Sequence, residues 1–65
     1  MTSRELLRKL RHLGATIVPD RGKGGHVRVE LNGCITHVPT GGGELKTGLV
    51  HGALRQLGLT IRDLQ

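Results

Sequence analysis

The stretch His26-Val27-Arg28-Val29-Glu30-Leu31-Asn32-Gly33-Cys34-Ile35-Thr36-His37-Val38-Pro39 decides the fold. Its first half alternates, with Val27, Val29 and Leu31 pointing one way and His26, Arg28 and Glu30 the other, the period of a half-buried strand. Asn32-Gly33 follows, a dipeptide suited to a type I′ turn because both central residues of that turn need positive φ. A two-residue turn fixes the register of the returning strand, Cys34 to Val38, which Pro39 closes. Leu31 then faces Cys34, Val29 faces Thr36 and Val27 faces Val38, while on the reverse side Arg28 faces His37. That register gathers His26, Arg28 and His37 on one face; a slip of one residue would turn His37 to the other.

Upstream of the hairpin, Thr2 and Glu5 have the spacing of a capping box, and Leu6, Leu7, Leu10 and Leu13 follow at helical intervals until Gly14. A helix over 3–13 is expected. Its outer face carries Arg4, Arg8, Lys9 and Arg11, which could touch phosphate or form a solvated surface, and the solvated surface is the reading favoured here. Ala15-Thr16-Ile17-Val18 is a β-branched run that enters a loop at Pro19-Asp20. The loop is Arg21-Gly22-Lys23-Gly24-Gly25, whose glycines let a large ligand approach the backbone and whose cations, with Arg28, surround His26 with positive charge.

Downstream, Thr40-Gly41-Gly42-Gly43-Glu44 reads as a flexible connection. Thr47 is the expected N-cap of a second helix, with Leu49, Val50, Ala53, Leu54 and Leu57 as its apolar stripe and Gly58 as its end. Thr60 and Asp63 predict one last capped turn through Leu64. No internal repeat and no second domain stand out, so residues 1–65 are read as one domain. The order is α-β-β-β-α, an α+β fold in two layers: both helices pack on the valine face of a three-stranded antiparallel sheet. The other face is left to solvent or to a partner.

At 65 residues only about 60% of the unfolded chain's surface can be buried, so the core is thin. With no Phe, Trp or Tyr it is built of Leu, Val, Ile and Ala. Base stacking on aromatic side chains is thereby excluded, which argues against single-strand binders of the RRM or OB kind. Ten Lys and Arg against five Asp and Glu give a net charge of +5, the footprint of a partner rich in phosphate or carboxylate. The single cysteine, Cys34, cannot make an internal disulfide and reads as a small buried hydrophobe. No apolar run approaches the length of a membrane span and no signal peptide is seen, so the expected compartment is the cytoplasm.

The five carboxylates, Glu5, Asp20, Glu30, Glu44 and Asp63, are too scattered for a two-metal nuclease, and four histidines with one cysteine lack zinc spacing. No metal or other cofactor is expected. A strand follows Gly22-Lys23-Gly24-Gly25 where a P-loop needs a helix, which argues against nucleotide triphosphates. No Ser/His/Asp or Cys/His arrangement stands out. RNA, however, carries its own nucleophile in the 2′-hydroxyl, so one imidazole and a few cations suffice to cleave it. Histidine titrates near physiological pH and serves well as a general acid or base. His26 is the candidate for that role; Arg28 and Lys23, with Arg21 nearby, would hold the phosphate, and His37 could supply the complementary acid. Spacing alone does not separate a catalytic histidine from an ordinary surface one.

The capped N-terminal helix, the glycine-rich turn ending in His26, the hairpin closing at Val38-Pro39, and Leu45-Lys46-Thr47-Gly48-Leu49 before a helix ending Leu57-Gly58-Leu59-Thr60 together resemble the HicA toxin family over nearly the whole chain. The resemblance implies a small bacterial ribonuclease toxin, an mRNA interferase with a fold like the double-stranded RNA-binding domain, paired with a HicB antitoxin. The family's motif typically reads Gly-Ser-His with a catalytic histidine, and Gly24-Gly25-His26 holds that position here. Gly25 stands where serine is usual, Val27 where a second histidine is common and Val29 where an aromatic is frequent. His37 and His51 match no catalytic position of the family; His51 and Arg55 share a helix face as a polar flank.

The function expected is thus a metal-independent endoribonuclease toxin acting on mRNA, restrained by a HicB-like antitoxin that covers the His26 face with acidic residues. Two other classes remain open at this point: a noncatalytic RNA-binding module, and a protein-interaction domain to which RNA is irrelevant.

Overall fold

The computed structural model describes residues 1–19, 25–41 and 43–65. Helix α1 spans Ser3–His12, strands β1, β2 and β3 span Thr16–Pro19, His26–Leu31 and Cys34–Pro39, helix α2 spans Thr47–Gln56, and a 3₁₀ turn covers Ile61–Leu64. The sheet is antiparallel in the order β1-β2-β3. This is the α-β-β-β-α order expected from the sequence.

The hairpin is the one its turn demands. Asn32 and Gly33 have φ of 51° and 82°, both positive as a type I′ turn requires. Leu31 pairs with Cys34, Val29 with Thr36, Arg28 with His37 and Val27 with Val38, the register expected for a two-residue loop. On the other side of β2, Ile17 pairs with Val29 and Pro19 with Val27. Pro19 therefore belongs to β1 rather than ending it. β1 is an edge strand, where a residue without an N–H leaves no partner unsatisfied, and the same holds for Pro39 in β3.

Both helices cover one face of this sheet, with α1 against β1 and α2 against β3. Leu6 and Leu10 from α1, Val29 and Val38 from the sheet, and Val50, Leu54 and Leu57 from the second helix and its end share one apolar core. Leu6, Leu10, Val29 and Val38 have no exposed surface at all, and each fully buried aliphatic chain contributes about 1.5–3 kcal/mol. Thr36 is buried on the same face and donates its hydroxyl hydrogen to Oε1 of Gln56, which ties β3 to α2.

Local signals account for most boundaries. Thr2 caps α1: its Oγ1 accepts from Glu5 N–H at 3.2 Å, and Glu5 reaches back to Thr2 N–H. At the last turn Asp63 Oδ2 accepts from Thr60 N–H at 2.8 Å, while Asp63 N–H donates to Thr60 O. Helix α2 departs from expectation, because its N-cap is Lys46 and Thr47 is already helical. The first helical bond, Val50 N–H to Lys46 O at 3.1 Å, closes one residue early, and no side chain caps it. Leu13 and Leu49, expected in the apolar stripes, are exposed; α1 ends at His12, and Leu13 is its C-cap rather than part of the helix. One long-range tie had no sequence signal: Thr2 bridges Glu44, and Leu45 N–H donates to Met1 O at 2.9 Å, so the connection before α2 is pinned to the entry of α1.

Candidate functional site

The face of the sheet turned away from the helices carries the charged side chains. His26 opens β2, Arg28 and Glu30 follow on the same side at strand intervals of about 7 Å, and all three emerge from a strand whose alternate residues are held in the core. Across β3, His37 stands directly opposite Arg28 and Ile35 opposite Glu30. Across β1, Val18 stands opposite Arg28. His26 itself pairs with Pro39, so His37 is its diagonal neighbour rather than its direct one. His26, Arg28 and His37 are exposed. The structure thus gathers the three on one open face, as the register predicted.

Arg28 is oriented by an acid on its own strand. Its Nε lies 2.8 Å from Oε2 of Glu30, and both side chains are roughly half exposed. In that setting an ion pair adds little stability, typically about 0–1 kcal/mol, and turns the guanidinium toward Glu30. Glu30 was read only as an outward-facing residue in the sequence. Its i, i+2 spacing from Arg28 was the signal that could have revealed the pair.

The backbone entering the site is also set. Gly25 has φ of 99°, a conformation that L side chains rarely adopt, and nothing lies within 4 Å of where its Cβ would be. Backbone conformation, not crowding, is what suits glycine there. Thr40 N–H donates to Gly25 O at 2.6 Å and carries the β2–β3 ladder one step past the His26–Pro39 pair. Arg21 and Lys23, the other cations assigned to this region from the sequence, lie outside the described residues, as does most of the glycine-rich turn.

Beside the charged groups the face carries one large apolar side chain, Ile35, which is 51% exposed. On the opposite, covered side of the sheet Cys34 is half-buried as a free thiol packed against the core. His51 and Arg55 line an open cleft between α2 and the last turn, with Leu54, Leu59 and Arg62, remote from the strand face. Among the described residues no helix is long and apolar enough to cross a membrane, and no three His, Cys, Asp or Glu side chains form a metal-binding group.

No curated protein and no solved structure matches the chain. A family model described as "HicA toxin of bacterial toxin-antitoxin" matches residues 3–59, from the first residue of α1 to just beyond α2, and so includes the whole sheet. On that match the chain belongs to the HicA toxin family, the toxin side of bacterial toxin–antitoxin pairs.

Proposed function

We propose that the chain is a single ribonuclease domain, a metal-independent endoribonuclease that cuts mRNA or other single-stranded RNA with His26 as general acid or base. The observation that carries this reading is the shared open face of His26, Arg28 and His37. In the reaction the 2′-oxygen attacks the adjacent phosphorus as its proton is removed, the bond to the 5′-oxygen breaks, and a proton is delivered to that leaving oxygen. His26 takes one of these proton transfers, a contribution typically worth about 10²- to 10⁴-fold in rate. Arg28, paired with Glu30, offsets the charge that grows on the phosphoryl oxygens, with Arg21 and Lys23, which precede His26 in the sequence, as further phosphate ligands. In this reading His37, diagonal to His26, assists the second proton transfer.

A protein that damages cellular RNA in the cytoplasm must be restrained. A HicB-like antitoxin is the proposed partner, covering the His26 face with acidic residues against its histidines and Arg28. The exposed Ile35 beside those charges supports this, since an apolar anchor rimmed by polar groups is the usual build of a protein interface.

The test compares the purified protein with a folded His26→Ala variant on a long RNA in the presence of EDTA. Cleavage by the parent and none by the variant supports the proposal. Equal cleavage by both sinks the role of His26, and binding without cleavage by either identifies an RNA-binding module instead.

A further inference from the structure

The exposed arginines of α1 form an ordered array. Arg4, Arg8 and Arg11 fall at i, i+4 and i+7, one stripe of the helix that runs about 10 Å along its axis. With Ser3, Leu7 and Thr40 they line an open groove of about 470 Å³. All three arginines are exposed, and among the described residues none is paired with a carboxylate. Glu5, the one acid of α1, is engaged with the backbone and hydroxyl of Thr2. Half-buried Leu7 gives the groove an apolar patch between the charges.

The far lip of this groove is Thr40, the residue hydrogen-bonded to Gly25, immediately before His26. The helix layer and the histidine face lie on opposite sides of the sheet, yet they meet around the strand ends at Gly25 and Thr40. We infer that the groove is a track for the RNA backbone, holding phosphodiesters that flank the one presented to His26. This inference rests on the ribonuclease reading of the histidine face. A groove open along its length suits an extended polyanion, and planar guanidinium forks meet phosphate oxygens two at a time. The apolar patch at Leu7 accepts a ribose or a base edge without discriminating among bases. The track therefore supplies affinity and placement for a chain long enough to round the sheet end, and no sequence preference.

The test uses Arg4→Gln, Arg8→Gln and Arg11→Gln combined, which keeps good helix formers in place. A matched control, Lys46→Gln, Arg55→Gln and Arg62→Gln combined, removes the same charge from exposed positions outside the groove. On a His26→Ala background, the slope of log affinity against log salt for a long single-stranded RNA should fall by about 2 in the groove variant, roughly 0.7 for each lost phosphate contact, and stay near the parent's in the control. In the active protein the groove variant should raise KM for long RNA at unchanged kcat, and leave cleavage of a dinucleotide untouched. Equal slopes in groove variant and control overturn the track while leaving the ribonuclease reading intact. Loss of antitoxin binding with RNA affinity unchanged also overturns it, by assigning the groove to the protein partner. A parent protein that cleaves no RNA refutes the ribonuclease reading instead, a result that the salt slopes do not mimic.

Discussion

The carboxylate of Glu30 holds the Nε edge of Arg28 at 2.8 Å, two residues along the same strand face. One edge of the guanidinium is thereby committed within the protein, and a negative charge stands beside the cation proposed to meet phosphate. Glu30→Gln removes that charge and keeps a similar shape. Tighter RNA binding is expected at low salt, with the gain over the parent shrinking as salt screens the half-exposed pair. Measured affinities that are equal at low salt would show that Glu30 does not oppose the ligand.

Gly33 sits at φ of 82° in the turn that sets the pairing of Arg28 with His37. Gly33→Ala forces a side chain into a left-handed conformation, at a cost of about 1–2 kcal/mol. A 65-residue domain has a total stability on the order of 3–10 kcal/mol, so the loss should be plain in urea unfolding. Asn32, at φ of 51°, is one of the few other residue types that adopts this conformation readily, and Asn32→Gly should cost far less than Gly33→Ala. Similar costs for the two would contradict the turn described.

The Glu5 carboxyl is held below its ordinary value, first by the hydrogen bond it accepts from Thr2 N–H and then by the one from the Thr2 hydroxyl. A lowered folded-state value means the carboxylate's contribution is present above the unfolded value near 4.5 and is lost as the pH falls through the folded one. Thermal melts of the parent and Glu5→Gln should therefore differ at neutral pH and converge on acidification across that window. A difference that persists unchanged well below it would mean that the charge of Glu5 plays no part in the cap.

The hairpin was readable from sequence because a two-residue turn with alternating neighbours leaves one register consistent with a buried valine face. Thr2 with Glu5 and Thr60 with Asp63 were readable because a capping box acts over three residues. Helix α2 was misplaced at its start because Lys46, with no side-chain oxygen to announce it, serves as N-cap. The bridge from Thr2 to Glu44 joins residues far apart in the chain and leaves no periodic trace. For the candidate site, spacing placed His26, Arg28 and His37 together, but it did not show that Arg28 turns toward Glu30. Nor did it show that the α1 arginines share a groove with Thr40, because that arrangement depends on how the helix layer sits over the strand ends.

The rung between Gly25 and Thr40 lies beyond His26, so the sheet grips the main chain on both sides of the imidazole. Its Cα–Cβ vector is set before any ligand arrives, and only the two side-chain torsions of the histidine remain to be ordered on binding. A catalytic group on a free loop would lose backbone entropy of about 1–2 kcal/mol per residue fixed in that same event. Here the ordering of the main chain is completed during folding, so the proton transfer proposed for His26 does not carry that cost.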